Sequence, residues 1–279
     1  MIKFNTPFAA AVGTTSILLA LLLATLPSAS CKMWSWQIGN PYSRQTGATP
    51  QTVKPANLFN NGTIYGVYIL FDGRVGYARY WTGDPSPRMA DYSPIANMSS
   101  AGRALDVADF DNNDFPDVAV CSEGPNGTIT VLLNPGDATS AWAKIIIDRP
   151  GYCTALVAAD MDNDGRVDLV SGHWTQIGTA SSIVRYYRLN SFTVKTNVVF
   201  AASSTQYSLG YEGSWVSLAV ADMTDGDGTL DIVVGTGDRI VTLTRSVGGV
   251  VTVNTVAVSY THLRAHETKA NLVCRLLLE

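Results

Sequence analysis

Between residues 104 and 256, short apolar runs come in pairs, and a polar stretch separates the members of each pair. Residues 104–108 and 118–120 form the first pair, 155–159 and 169–171 the second, and 217–221 and 232–234 the third. The runs are short, rich in Val, Leu, Ile and Ala, and show no 3.6-residue period. They predict strand–loop–strand hairpins; flanking helices would need ten or more residues with helical spacing. Two further runs, 128–133 and 142–147, complete a set of four strands within about 102–150. Similar units are expected over about 153–201 and 215–256. Upstream, residues 62–71 and 75–81 predict a hairpin turning at Asp72-Gly73.

The polar stretches share one acidic pattern. In the middle copy Asp160, Asp162, Asp164 and Asp168 stand at positions 1, 3, 5 and 9, with Gly165 at position 6 and the backbone carbonyl of Arg166 at position 7. Calcium takes six to eight oxygen ligands at about 2.3–2.6 Å. Alternate aspartates converge on such an ion if the backbone coils tightly, and glycine permits the positive φ that the coil needs. Carboxylates this close repel one another, so a solvated acidic turn without metal is the weaker reading. The upstream copy offers Asp109, Asp111, Asn113 and Asp117, with the Phe115 carbonyl at position 7. Asp114 replaces glycine at position 6, a residue that tolerates the left-handed region at some cost. With three ligand carboxylates this copy is expected to bind more weakly. The downstream copy reads Asp222, Asp225, Asp227, Gly228 and Asp231, with one extra residue between its first two ligands and Thr229 at the carbonyl position. Three calcium sites with a structural role are therefore expected. The loops start 51 and 62 residues apart. A 50–60-residue repeat of several strands reads as a propeller blade.

On these loops and their flanking strands, residues 99–256 resemble the FG-GAP/VCBS repeats of integrin-α-type β-propellers. The run Leu132-Leu133-Asn134-Pro135-Gly136-Asp137 before Trp142 is similar to an inter-strand turn of VCBS repeats. The literal Phe-Gly and Gly-Ala-Pro signatures are absent, and Leu209-Gly210-Tyr211 is a loose echo. The resemblance implies an all-β chain, a β-propeller of four-stranded blades, incomplete, with three to four blades present. It also implies calcium in the aspartate-rich loop between adjacent strands of a blade.

The ends divide from this body. Residues 1–30 read as a secretory signal peptide: Lys3, an apolar stretch centred on 17–23, and Ser28-Ala29-Ser30 before Cys31. An uncleaved anchor and a lipidated Cys31 are the alternatives. Residues 31–98 are expected to hold a lead-in and a degenerate first blade, and 99–257 the calcium-loop blades. Residues 258–279 look like the translation of a sequencing adapter, the alternative being a genuine helical tail. The natural frame is then expected to stop near Ala257, short of a closed ring.

Within 31–257 there are 21 acidic and 15 basic residues, and 12 of the acids lie in the three loops. The acidity is thus metal-site charge, and without a basic patch no nucleic-acid partner is expected. Cys121 and Cys153 either pair across neighbouring blades or stay as buried thiols; sequence leaves both open. Asn61, Asn97 and Asn126 head N-glycosylation tripeptides that matter only in a eukaryotic host.

Catalytic chemistry finds little support. His173 is the single histidine of residues 31–257, and no base–nucleophile spacing surrounds it. It reads as a surface or packing residue. Tyr65, Tyr68, Tyr77, Tyr80 and Trp81 form the most aromatic region, as cross-strand packing rather than a sugar platform. Residues 202–213 read as a long connection suited to a surface loop. The expected function is a secreted, extracellular calcium-binding propeller that binds a glycan or an extracellular protein. The alternatives are a carbohydrate-active enzyme on a propeller scaffold, such as a polysaccharide lyase or sugar dehydratase, and an adhesion ectodomain. A membrane enters only through an uncleaved anchor or a distal span.

Overall fold

The paired apolar runs fold as antiparallel meanders. The computed structural model describes residues 50–80, 89–174, 182–201, 205–209, 216–223, 228–236, 239–245 and 251–256. The expected signal segment, most of the lead-in and the tail beyond 256 lie outside them. All the regular elements described are strands.

Four four-stranded sheets follow one another along the chain. The first holds β1 (Pro50–Ala56), β2 (Tyr65–Leu70), β3 (Arg74–Tyr80) and β4 (Met89–Asn97). The second holds β5 (Gly102–Ala108), β6 (Asp117–Ser122), β7 (Ile129–Leu133) and β8 (Ala143–Asp148). The third is built from β9 (Cys153–Ala159), β10 (Asp168–Trp174), β11 (Ser182–Tyr187) and β14 (Thr205–Ser208). A separate hairpin, β12 (Leu189–Thr193) and β13 (Asn197–Phe200), is inserted before its last strand. The fourth holds β15 (Ser217–Ala221), β16 (Asp231–Gly235), β17 (Ile240–Arg245) and β18 (Val251–Val256). The hairpin expected around Asp72-Gly73 is β2–β3, where Gly73 N–H donates to the Leu70 carbonyl at 3.0 Å.

One local expectation changes. Residues 202–213 are not simply a connection, because Thr205–Ser208 pairs antiparallel with β11 as the outer strand of the third sheet. Thr, Gln, Tyr and Ser carry no apolar signal, and an outer strand needs none on its solvent side. The expected degenerate first blade starts at β1, which is irregular between Pro50 and Thr52.

The inner strands explain the stacking. Every residue of β6 and β7 is buried. Side chains alternate between faces along a strand, so such a strand must meet a core on each side. Val118, Val120 and Leu132 join Val67, Ile69, Val75 and Met98 in one core. Ala119, Val131 and Leu133 face the other way and join Leu156, Leu169, Tyr187 and Leu189. The alternation repeats in the third sheet, where Val170, Val184 and Tyr186 pack with Ile232, Val234, Val241 and Leu243. The first strands adjoin in chain order: β1 beside β5, β5 beside β9, and β9 beside β15. The sheets therefore fan from a shared inner edge as successive blades of an all-β propeller architecture. In each of the last three blades the acidic loop joins the first strand to the second, so the loops occupy equivalent places.

Candidate metal centre

Each loop is coiled by its own carboxylates. At position 1, Asp109 accepts the N–H groups of Asn113 at 3.1 Å and Asp114 at 2.8 Å. Asp160 accepts those of Asp164 at 3.1 Å and Gly165 at 2.8 Å. Asp222 accepts from Gly228 at 3.0 Å. Position 6 has positive φ in all three loops: 67° at Asp114, 82° at Gly165 and 82° at Gly228. Position 4 does so in the first two, at Asn112 and Asn163. Asparagine tolerates this region because its short polar side chain bonds locally.

Position 9 ties the loop to the blade. Asp117 accepts from Phe110 N–H at 2.9 Å and from Asn134 N–H at 2.6 Å. Asp168 accepts from Met161 N–H at 3.3 Å, Leu189 N–H at 2.7 Å and the Tyr186 hydroxyl at 2.8 Å. Asp231 accepts from Met223 N–H at 3.1 Å. In the first two loops, one carboxylate thus holds both the start of the loop and the end of the third strand.

Two trios result. Asp109, Asp111 and Asp117 bring one oxygen each within 4.8 Å of one another, and so do Asp160, Asp162 and Asp168. Asp111, Asp117 and Asp168 are fully buried. Burial, reinforced by the neighbouring carboxylates, raises the pKa of Asp117 to about 7 and of Asp168 to about 6. Burial also raises that of Asp111. Oδ1 of Asp111 and Oδ1 of Asp162, both at position 3, are buried with no hydrogen-bond partner. A buried carboxylate oxygen without a partner is costly. A hard cation held by oxygen donors removes that cost and the mutual repulsion together, so the residues present fit calcium.

The other expected site residues are placed as follows. Asn113 sits in the first loop, its Oδ1 accepting from Phe115 N–H at 2.7 Å and its Nδ2 donating to the Asn134 carbonyl at 3.0 Å. The Phe115 ring packs against Gly136. Asp164 lies outside the second trio. Its Oδ1 accepts from Arg166 N–H at 3.0 Å, and its Oδ2 is shared by the guanidinium groups of Arg166 and Arg188. Arg188 Nε also reaches Asp162 Oδ2 at 2.5 Å. In the third loop Asp222, Thr229 and buried Asp231 are described, while Asp225 and Asp227 lie outside the described residues.

Sequence reasoning missed the second ring of residues. Asn134 donates its side-chain amide to the Leu58 and Pro116 carbonyls, at 2.7 and 3.0 Å. Arg188 clamps the second loop. Lys195, at the tip of β12–β13, donates its backbone N–H to Asp111 Oδ2. One available signal was the apolar residue at position 2, Phe110 or Met161, which is buried in both loops. Arg188 and Lys195 carry no local signal, because they belong to other elements.

The remaining candidates pack. His173 is 3% exposed; its Nδ1 pairs with the Gly151 carbonyl at 3.0 Å and its Nε2 with Ser171 Oγ at 2.6 Å. Burial lowers its pKa to about 4, so it is a neutral packing residue. Tyr65 and Tyr77 form edge-to-face contacts with each other and with Phe59, each at 5.4 Å, and Tyr68 is fully buried. Trp81 lies outside the described residues. Cys121 and Cys153 are disulfide-bonded, with Cα atoms 5.9 Å apart.

Residues 109–171 match the family model of the FG-GAP-like repeat. The match begins at Asp109 of the first loop, covers both acidic trios and ends within β10. It agrees with the resemblance carried by the loops and their flanking strands. No curated protein matches the chain.

Proposed function

We propose that this chain is a calcium-stabilised β-propeller module of the adhesion type, which works outside the cell and binds a glycan or an extracellular protein. The calcium assignment rests on the partnerless buried oxygens of Asp111 and Asp162, each within a trio of carboxylates in equivalent turns of adjacent blades. Asp109, Asp111 and Asp117 hold one ion, and Asp160, Asp162 and Asp168 another. The bound ion neutralises the clustered charge, and the loops stay coiled between their strands. An ion bound only by the folded chain adds roughly 2.7 kcal/mol at a hundredfold excess over Kd.

The extracellular assignment is supported by the Cys121–Cys153 disulfide, since such bonds persist in oxidising compartments. The binding role is supported by the repeat match and by a blade scaffold that leaves its loops free to vary. Among the described residues, His173 is sealed in the core and lends the enzymatic reading no support.

Thermal unfolding in calcium and in chelator tests the metal, and arrays of glycans and extracellular proteins probed in calcium test the partner. A higher melting temperature in calcium with selective array binding is the expected result. An identical melt in both buffers removes the calcium assignment, and turnover of an arrayed polysaccharide replaces the binding role with an enzymatic one.

A further inference from the structure

The two trios solve the same problem with different donors. In each, the position-3 carboxylate gives Oδ2 to a donor and leaves Oδ1 buried without a partner. For Asp162 the donor is Arg188 Nε, from the segment joining β11 to β12 of the same blade. For Asp111 the donor is the backbone N–H of Lys195, at the tip of the β12–β13 hairpin, which belongs to the next blade. Lys195 is 84 residues away from Asp111 in sequence.

We propose that the β12–β13 hairpin is a calcium-coupled latch, and that its tip forms part of the Asp109–Asp111–Asp117 site and locks the third blade onto the second. The inference rests on the calcium reading above. Lys195 N–H orients the Asp111 carboxylate, and Asp111 in turn holds the hairpin tip. The Lys195 ammonium lies 5.7 Å from the Phe115 ring centroid, so the same residue covers the position-7 side chain of that loop. Lys195 has φ 59°, and the turn is closed by Thr196 N–H donating to the Thr193 carbonyl at 3.0 Å. The hairpin base is fixed independently, because Leu189, Val198 and Phe200 are buried in the core between the second and third blades.

With the base fixed, the tip is the part free to respond. Val194 is 49% exposed, so apolar burial does little to hold it. Rotation of Asp111 away from the hairpin would remove the acceptor that the tip relies on. An ion held by the partnerless Oδ1 fixes that carboxylate in the orientation the tip needs. Ion binding and tip docking therefore share one residue, and coupling through it must be reciprocal.

The test uses the whole chain. In the unmutated protein, calcium should slow trypsin cleavage after Lys195 and deuterium uptake over residues 193–197 by about 5–150-fold, the usual range of coupling between sites. Asp111→Asn should abolish that protection, and Asp162→Asn should keep it. Equal protection in the two variants would overturn the latch. So would a melt raised by calcium with hairpin uptake unchanged, a comparison that needs no variant. A melt unaffected by calcium would overturn the calcium reading and the latch together.

Discussion

Cys121 of β6 is bonded to Cys153 of β9, so the second and third blades are joined covalently beside the core they share. The bond closes a sequence separation of 32 residues. In the chain-entropy picture a loop of this size is worth about 3–4 kcal/mol. The double variant Cys121→Ser, Cys153→Ser should therefore melt on the order of 10 °C lower, given the size of the domain. Calorimetry measures the drop, and reduction of the unmutated protein should reproduce it.

The matching place one blade further on has no disulfide. There Gly172 lies against Val216, and a Cβ on Gly172 would stand 2.5 Å from Val216 Cγ1. Gly172→Ala should cost about 1–3 kcal/mol by overpacking. Val216→Ala in the same chain should recover part of that loss. Denaturant unfolding of the two single variants and the double variant gives the coupling.

Arg188 pairs with a carboxylate of the second trio, so it should compete with a cation bound there. It reaches Asp162 at 2.5 Å and Asp164 at 2.9 Å, with its side chain about half exposed. Exposed pairs of this kind contribute little, because solvent screens them. Arg188→Gln should therefore tighten calcium at this loop by about two- to fivefold, measured by titration calorimetry in an Asp111→Asn background. Weaker binding would mean that Arg188 serves chiefly to orient Asp162.

Calcium binding should fade as pH falls below neutral. Without the ion, Asp117 titrates at about 7 and Asp168 at about 6, both raised by burial from 3.8. Folded values above the unfolded ones mean that the calcium-free fold binds protons more readily than the unfolded chain. Their contribution to calcium-free stability is full below the unfolded value and is lost as pH rises through 6 and 7. Calcium needs the ionised groups, so protons compete with it. The melting difference between calcium and chelator should shrink between pH 7.5 and 5.5. A difference that grows over this range would mean that neither carboxylate is a ligand.

The acidic loops were legible because their information is local. Spacing at positions 1, 3, 5 and 9 is a property of one short segment, and the positive φ expected at Gly165 and Asp114 is found at both. The strands of the second blade were readable for the same reason, from apolar runs bounded by turns. The β14 strand was not, because Thr205–Ser208 is a polar outer strand defined only by the neighbour it pairs with. The guanidinium partners of Asp164 were not legible either: Arg166 is local, but Arg188 comes from another element. Arg188 stands 24 residues further along the chain.

Sequence alone therefore determined the blade repeat and the coiled carboxylate turns, since hydrogen bonds across a few residues and strand alternation write both. Tertiary structure alone decided whether Cys121 and Cys153 bond, which guanidinium clamps the second loop and which hairpin touches the first. Those choices depend on how sheets stack about their shared inner edge. Such stacking brings Lys195 to Asp111 across 84 residues, and no short-range pattern in the chain encodes a contact of that range.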